Sequence, residues 1–202
     1  ARHVVLQSGA RVAGDIVVNV AGAWGPEISA MVGMTVPVEP LSRETFYFEI
    51  RGDIETMPLT KDPGAVTFRQ EGGGFTSGLT DTDVPFGFDW EVDHDKFETV
   101  YWPVLAHRVP AFEALQVKRG WAGHYAYNRM DGNTIIGPWI GGLDNFYVAT
   151  GFTGAGLQKG PAIGRAMTEL LLDGGYQTID LSRMSYQRVI DNEPLLETGF
   201  TA

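Results

Sequence analysis

The chain contains no cysteine, so it forms no disulfide, no thiolate-bound metal site and no sulfur-linked cofactor. Positive charge is short: 15 Lys and Arg stand against 25 Asp and Glu, a formal net charge of −10. That balance argues against nucleic acid and anionic membranes as partners, since both need a basic surface. No apolar run approaches the ~20 residues of a membrane-spanning helix, so no transmembrane segment is expected. Internal repeats and low-complexity runs are also missing. Histidine is limited to 4 residues, and no Ser-His-Asp constellation can be argued. Asp93-His94-Asp95 has two readings, a helix cap and a metal site, of which the Asp cap is favoured. Asp81 and Asp83 lack the spacing of a calcium loop. No metal site is therefore expected, and His107 is expected to pack within a helix.

What is plentiful is glycine, 26 of 202 residues against a usual share of about 7%. An apolar content of 44% with 20% charged residues is that of a globular protein able to bury a core. The glycines concentrate where apolar runs end. Two segments show this best: Val17-Val18-Asn19-Val20-Ala21-Gly22-Ala23-Trp24 and Tyr147-Val148-Ala149-Thr150-Gly151-Phe152-Thr153-Gly154-Ala155-Gly156-Leu157-Gln158. Each short apolar run marks a buried strand, and each opens into residues with little or no side chain. Such a turn lets backbone come close to a flat ligand, and a following helix aims N–H groups and partial positive charge at it.

The remaining pattern places the other elements. Residues 3–6 and 11–14 read as a hairpin around Ser8-Gly9, leading into a strand over 16–20. Gly25-Pro26 starts a helix through Ile28, Met31 and Val32 that stops at Gly33. Strand-like patterning covers 36–78, clearest at 45–50 and 66–69. A helix over 93–107 puts Phe97, Val100, Tyr101, Val104 and Leu105 on one face, with a kink or restart at Pro103. Strands resume over 116–127, 134–136 and 146–150. A last helix over 156–173 carries a stripe of Ile163, Met167, Leu170 and Leu171, with Pro161 read as part of its start.

The two glycine-rich segments resemble the second and third flavin-contacting stretches of the D-amino-acid oxidase and sarcosine oxidase superfamily (the DAO family) of FAD-dependent amine oxidoreductases. That family's pattern reads VVNAAGAW and ATGFSGHG. Between them, Trp121-Ala122-Gly123, Asp131-Gly132 and Ile135-Ile136-Gly137 resemble the family's W-A-G…D-G…I-G stretch. Glu91-Val92-Asp93-His94-Asp95, the run 102–113, Gly156-Leu157-Gln158 and Gln177-Thr178-Ile179-Asp180-Leu181 resemble a mitochondrial branch of it. Family members open with a strand, a G-x-G-x-x-G turn and a helix, and no such fingerprint stands near Ala1. The resemblance therefore implies a C-terminal half. The expected partner is an N-terminal FAD-domain half, on the same polypeptide or on a separate chain.

Several expectations follow from the resemblance. The fold class is α+β / α/β: the C-terminal half of a glutathione-reductase-type FAD domain plus an antiparallel substrate-domain sheet packed with helices. Residues 1–33 and 116–202 belong to the FAD-binding domain and 34–115 to the substrate domain. Ala21, Gly22, Ala23, Trp24, Gly151, Phe152, Thr153, Gly154, Ala155, Gly156, Leu157 and Gln158 line the cofactor, with Trp24 alternatively a core filler. In relatives the helix after Gly156 faces the pyrimidine edge of the flavin, where the reduced ring is anionic. FAD is expected to be non-covalent, because His124 falls near a cysteine that sarcosine-type relatives link to flavin.

Two departures bear on the substrate. Tyr125 stands where several amino-acid-oxidising relatives carry a carboxylate-binding arginine, and Gln158 falls near a carboxylate-binding lysine. Lys159, one residue along, would point about 100° away. Arg69 is then either a substitute cation or a solvated strand residue. His124, Tyr125 and Tyr127 are either pocket lining or proton-transfer groups. The implied function is oxidation of a small amine or N-methyl amino acid by hydride transfer to flavin. The alternative is a flavin-binding assembly protein, of the respiratory complex I assembly kind, without amine turnover. The expected location is intracellular: cytoplasmic if bacterial, mitochondrial if eukaryotic.

Overall fold

The computed structural model describes residues 1–63, 66–81 and 83–196. It divides into two compact units, Ala1–Pro40 with Tyr125–Ala202 and Leu41–His124. The boundaries fall seven and nine residues beyond the expected 33/34 and 115/116. The reason is that two long strands, β4 (Val38–Glu49) and β8 (Gln116–Asn128), each run from one unit into the other.

In the first unit β1 (His3–Val5) and β2 (Arg11–Ala13) pair antiparallel as a hairpin. β3 (Val17–Asn19) leads into α1 (Gly25–Ala30). The helix is shorter than its apolar pattern implied, because Met31–Gly33 forms a turn closed by Gly33 at φ +87°. β9 (Ile135–Pro138) and β10 (Phe146–Thr150) complete a three-stranded sheet of order β3-β10-β9, with α4 (Gly156–Leu172) packed on it.

Both faces of this sheet are covered, which is why β10 is a nearly continuous apolar run. Ile136 and Ala149 meet Ile163, Ala166 and Met167 of α4 on one side. Ile135, Phe146 and Val148 meet Met34, Val36, Val38 and Ala126 on the other. Pro161 does not belong to a helix start: it lies inside α4. There its missing N–H leaves one carbonyl of the preceding turn without an intrahelical donor.

A buried ion pair closes this unit. Arg188, on the short helix α5 (Gln187–Ile190), donates from Nε to Asp131 Oδ2 at 2.9 Å, with side-chain exposures of 6% and 0%. Its Nη2 donates to the carbonyls of Asn133 and Thr134 and its Nη1 to that of Met184, while Asp131 also accepts the N–H groups of Asn133 and Leu195. Burial alone would raise the Asp131 pKa. The Arg188 guanidinium and those N–H groups outweigh it and hold the carboxyl below its usual range.

The second unit is built on a five-stranded sheet of order β5-β6-β7-β4-β8, where β5 is Thr60–Lys61, β6 Val66–Glu71 and β7 Gly74–Leu79. Alternate residues of β4 and β6 (Phe46, Phe48; Val66, Phe68) face one core with Phe75, Phe97, Tyr101, Leu105 and Phe112. Each such ring contributes about 1.5–3 kcal/mol through burial.

Asp93 caps the helical segment by accepting the Lys96 N–H at 3.0 Å. The segment then runs through α2 (His94–Lys96), a π-turn (Phe97–Tyr101) and α3 (Trp102–Arg108). The restart expected at Pro103 takes the form of that π-turn, whose wider winding accommodates a ring that would crowd the Thr99 carbonyl. The same change of winding turns Val100 out of the expected stripe, to 38% exposure. His107, expected to pack, lies on the exposed side of α3.

Candidate functional site

β10 pairs parallel with β3, in the register Phe146↔Val17, Tyr147↔Val18, Val148↔Asn19. Both strands therefore end at the same edge of the sheet, and the two glycine-rich turns emerge side by side. In parallel α/β sheets that carboxyl edge is where ligands bind. Distant segments of sequence are thus brought together by one strand pair.

Local hydrogen bonds fix the first turn. Asn19, 3% exposed, donates to the Gly25 carbonyl at 2.7 Å and to Ser29 Oγ at 3.0 Å. Its Oδ1 accepts the Ala21 N–H at 3.1 Å. This ties the end of β3 to the first turn of α1. Gly25 packs tightly enough that a Cβ there would stand 2.9 Å from Thr150 Oγ1. Gly22 has φ +57°, and a Cβ added to it would meet nothing within 4 Å, so its face is open. Ala23 is buried beneath the turn, whereas Trp24 is 47% exposed.

The second turn is more constrained. Gly151 and Gly154 have φ +73° and +87°. A Cβ on Gly154 would stand 2.5 Å from the Tyr125 ring of β8, so this glycine is required by the packing of the turn against β8. Thr153 has φ +49°, a strained value for a β-branched residue. What holds it is its own hydrogen bonding: Oγ1 accepts the Asn128 N–H at 3.1 Å, and its N–H donates to the Ala126 carbonyl at 3.0 Å. The Thr153 hydroxyl therefore works inward, against β8. Phe152 packs with the α4 core.

Gly156 opens α4 in ordinary helical geometry, and a Cβ there would make only a 3.5 Å contact with Phe152. Ala155, the residue before it, contributes no capping side chain, and the first turn holds no acidic residue. Its N–H groups thus present uncancelled partial positive charge. Leu157 and Gln158 are exposed beside them. The buried Thr150 Oγ1, at the end of β10, has no hydrogen-bond partner among the described residues. An open glycine face, uncapped helix N–H groups and an orphaned hydroxyl suit a flat group with an anionic edge.

The other expected residues are divided. On β8, Ala126 and Asn128 face the core, so Tyr125 and Tyr127 share the opposite side, half-buried. His124 lies in the second unit, where Nε2 accepts the Asp89 N–H at 2.9 Å. Arg69 is on β6 of that unit. Its side chain is 58% exposed and pairs with Glu71 at 3.0 Å, which favours the solvated-strand reading.

Sequence reasoning missed Asn19, although an asparagine inside an apolar run is a usable signal. It also missed Arg188 and Glu169. The latter binds the 177–178 segment to α4, accepting the Thr178 hydroxyl at 2.6 Å and the Gln177 N–H at 2.8 Å. Those two bonds lead the effects that hold the Glu169 carboxyl at a pKa of about 2.

Comparisons with known proteins show the family and the fold. A family model described as DAO, FAD dependent oxidoreductase, matches residues 1–170. The chain is 41% identical over 201 residues to FAD-dependent oxidoreductase domain-containing protein 1 of Xenopus laevis, covering 91% of this chain and 40% of that protein. It is 26% identical over 170 residues to mitochondrial sarcosine dehydrogenase of Mus musculus, covering 78% of this chain and 18% of that one. Among solved structures, L-proline dehydrogenase from P. horikoshii superposes with a TM-score of 0.83 at 27% identity, over 96% of this chain and 51% of that chain. The chain thus spans about half or less of the length of these relatives. It belongs to the DAO family of FAD-dependent oxidoreductases.

Proposed function

We propose that this chain carries the flavin-facing turns of an oxidoreductase whose substrate is a small amine or N-methyl amino acid. The observation that carries the reading is the parallel β3–β10 pair, which sets both glycine turns and the uncapped start of α4 at one sheet edge. Relatives whose names state a substrate include sarcosine dehydrogenase, glycine oxidase and L-proline dehydrogenase, and each of those substrates carries an amine next to a carboxylate.

The chemistry FAD supplies when bound is acceptance of a hydride from the C–H beside the amine nitrogen. The chain's own residues then have three tasks. Gly22 leaves room for a flat ring to approach backbone. The first-turn N–H groups of α4 stabilise negative charge placed before them. Ala23, Thr153 and Gly151, all buried, hold these two elements rigid. Attachment is non-covalent as far as a cysteinyl link is concerned, since this chain has no cysteine.

The test is anaerobic addition of sarcosine, L-proline and simple secondary amines to the flavin-loaded protein. Loss of the visible flavin band with at least one is expected. No bleaching by any amine would overturn the substrate class and favour a flavin-binding protein without amine turnover. Tyr125, at the position where several relatives place arginine, is the residue that favours that second reading.

A further inference from the structure

Residues 86–93 cross the second unit as a strap outside any helix or regular strand. To β4 the strap is held by an antiparallel bridge between Leu41 and Phe86. Ser42 Oγ also donates to the Asp89 carbonyl at 2.9 Å, and Glu44 Oε1 accepts the Asp93 N–H at 2.6 Å. To β8 the strap is held by His124, whose Nε2 accepts the Asp89 N–H at 2.9 Å. The Phe88 and Trp90 rings pack against this imidazole, at centroid distances of 5.1 and 4.3 Å. Gly87 has φ +128° and nothing within 4 Å of an added Cβ. It lies between the bridge at Phe86 and the doubly bonded Asp89, where a strap fixed at one point can pivot.

The ties to β4 and β8 differ in how they meet a proton. A carboxyl oxygen accepts a hydrogen bond whether ionised or protonated, whereas an imidazolium has no acceptor nitrogen. A proton on Nε2 would set donor against donor at Asp89. His124 Nδ1 is buried with no hydrogen-bond partner among the described residues, so no second bond of the ring takes over. The charged groups around the contact come from several elements. On the strap they are Asp89, Glu91 and Asp93; on β4, Arg43 and Glu44; beside these, Asp81 and Lys96 of α2. All line one cavity of about 190 Å³, of which the strap forms a wall. Lys96 is bound to Asp81 at 3.0 Å and Arg43 reaches the Asp81 carbonyl. β8 itself carries no charged residue from Gly120 to Asn128. The strap's carboxylates thus flank the ring in sequence and tolerate a positive charge there, but none replaces the acceptor that Asp89 N–H would lose.

We propose that residues 86–93 form a pH-sensitive strap, fastened to β8 by neutral His124 and released from it when that ring takes up a proton, while β4 keeps its hold. Histidine is the side chain that changes charge between about pH 5 and 8, so the release falls within a range a cell can use. Release frees the stretch around Asp89 and Glu91, and with it the charge that the strap presents to the cavity. The inference is independent of the amine reading above.

The experiment follows amide hydrogen exchange by NMR in the 202-residue chain, each rate divided by its intrinsic value at that pH. Protection of the Asp89 amide should fall about tenfold between about pH 8 and about pH 5, the loss of one hydrogen bond. The Val109 amide, bonded to the Leu105 carbonyl at 2.9 Å in the same unit, should keep its protection. In His124→Gln the amide oxygen accepts an N–H at either pH, so Asp89 should stay protected throughout. In His124→Leu, which has no acceptor, Asp89 should lack protection at both ends of the range.

Unchanged protection of Asp89 across the range in the parent protein would overturn the proposal. An equal fall in His124→Gln would overturn it too, and would place the pH dependence on the strap's carboxylates. A matching fall at Val109 would do the same, as acid loosening of the whole unit. Should the His124 variants lose their fold by circular dichroism, the parent decides: the His124 ring-proton shifts must titrate with the same midpoint as the Asp89 protection, or the proposal fails. Neither flavin nor amine enters any readout, so this result and the test of amine oxidation stand or fall separately.

Discussion

Replacing Gly154 by alanine should destabilise the first unit by several kcal/mol, and the structure divides the cost into two parts. The residue sits at φ +87°, where an L side chain costs about 1–2 kcal/mol through its own backbone. The added Cβ would then lie 2.5 Å from Tyr125 Cε2 and 2.6 Å from Cζ. Pushing a ring aside in a packed region costs about 1–3 kcal/mol. The sum is about 2–5 kcal/mol, read as a fall in the urea midpoint at unchanged slope.

Gly156→Ala serves as the control. Its Cβ makes a 3.5 Å contact with Phe152, and within a helix alanine is favoured over glycine by up to about 1 kcal/mol. Its midpoint should hold or rise. A double-mutant cycle of Gly154→Ala with Tyr125→Ala should recover about 1–3 kcal/mol as coupling, the part due to the clash. Gly154→Ala within about 0.5 kcal/mol of the parent would refute the argument. The pair also separates packing from cofactor contact. In flavin-loaded protein, Gly156→Leu should lower flavin per chain at an unchanged unfolding midpoint, and full occupancy would remove Gly156 from the proposed flavin edge.

Arg188→Leu leaves Asp131 buried without its counter-ion and should cost about 3–5 kcal/mol by urea unfolding. Because the Asp131 pKa is lowered on folding, its contribution is complete above the unfolded value of about 3.9 and is lost as pH falls below it; an Arg188→Leu protein with the parent's acid-unfolding curve would contradict this. Glu169 follows the same sign. Its stabilising contribution is present above the usual glutamate range and is lost as pH falls towards about 2. Acid titration followed by amide exchange at Gln177 and Thr178 should show those amides released in that window, and earlier in Thr178→Val. Arg69→Ala removes only an exposed pair with Glu71, so stability should change by less than about 1 kcal/mol. A small carboxylate inhibitor should bind the flavin-loaded protein unchanged, and a loss of affinity there would restore Arg69 as an anion anchor.

The elements themselves were legible one at a time, because each is set by local periodicity and local breakers. α4 begins at Gly156 and ends at Leu172, where a stripe of apolar residues starts and stops between glycines. β10 is a short apolar run closed by Gly151. Asp93 caps its helix because an Asp side chain three residues before an N–H is a local geometry. The restart expected at Pro103 came as a π-turn, and that change of winding took Val100 out of its expected stripe.

The candidate site was legible only as two separate glycine turns and a family likeness. Nothing in either turn states that β3 pairs parallel with β10, since that register depends on hydrogen bonds between strands far apart in the chain. The inward-turned Thr153 hydroxyl depends in the same way on Asn128 of β8, and the demand for glycine at 154 on the position of the Tyr125 ring. The sequence determined which segments could approach a ligand, because small residues and positive φ are properties of single positions. Tertiary structure decided that two of them meet at one edge, because strand pairing and side-chain packing are properties of residues that become neighbours only when the chain has folded.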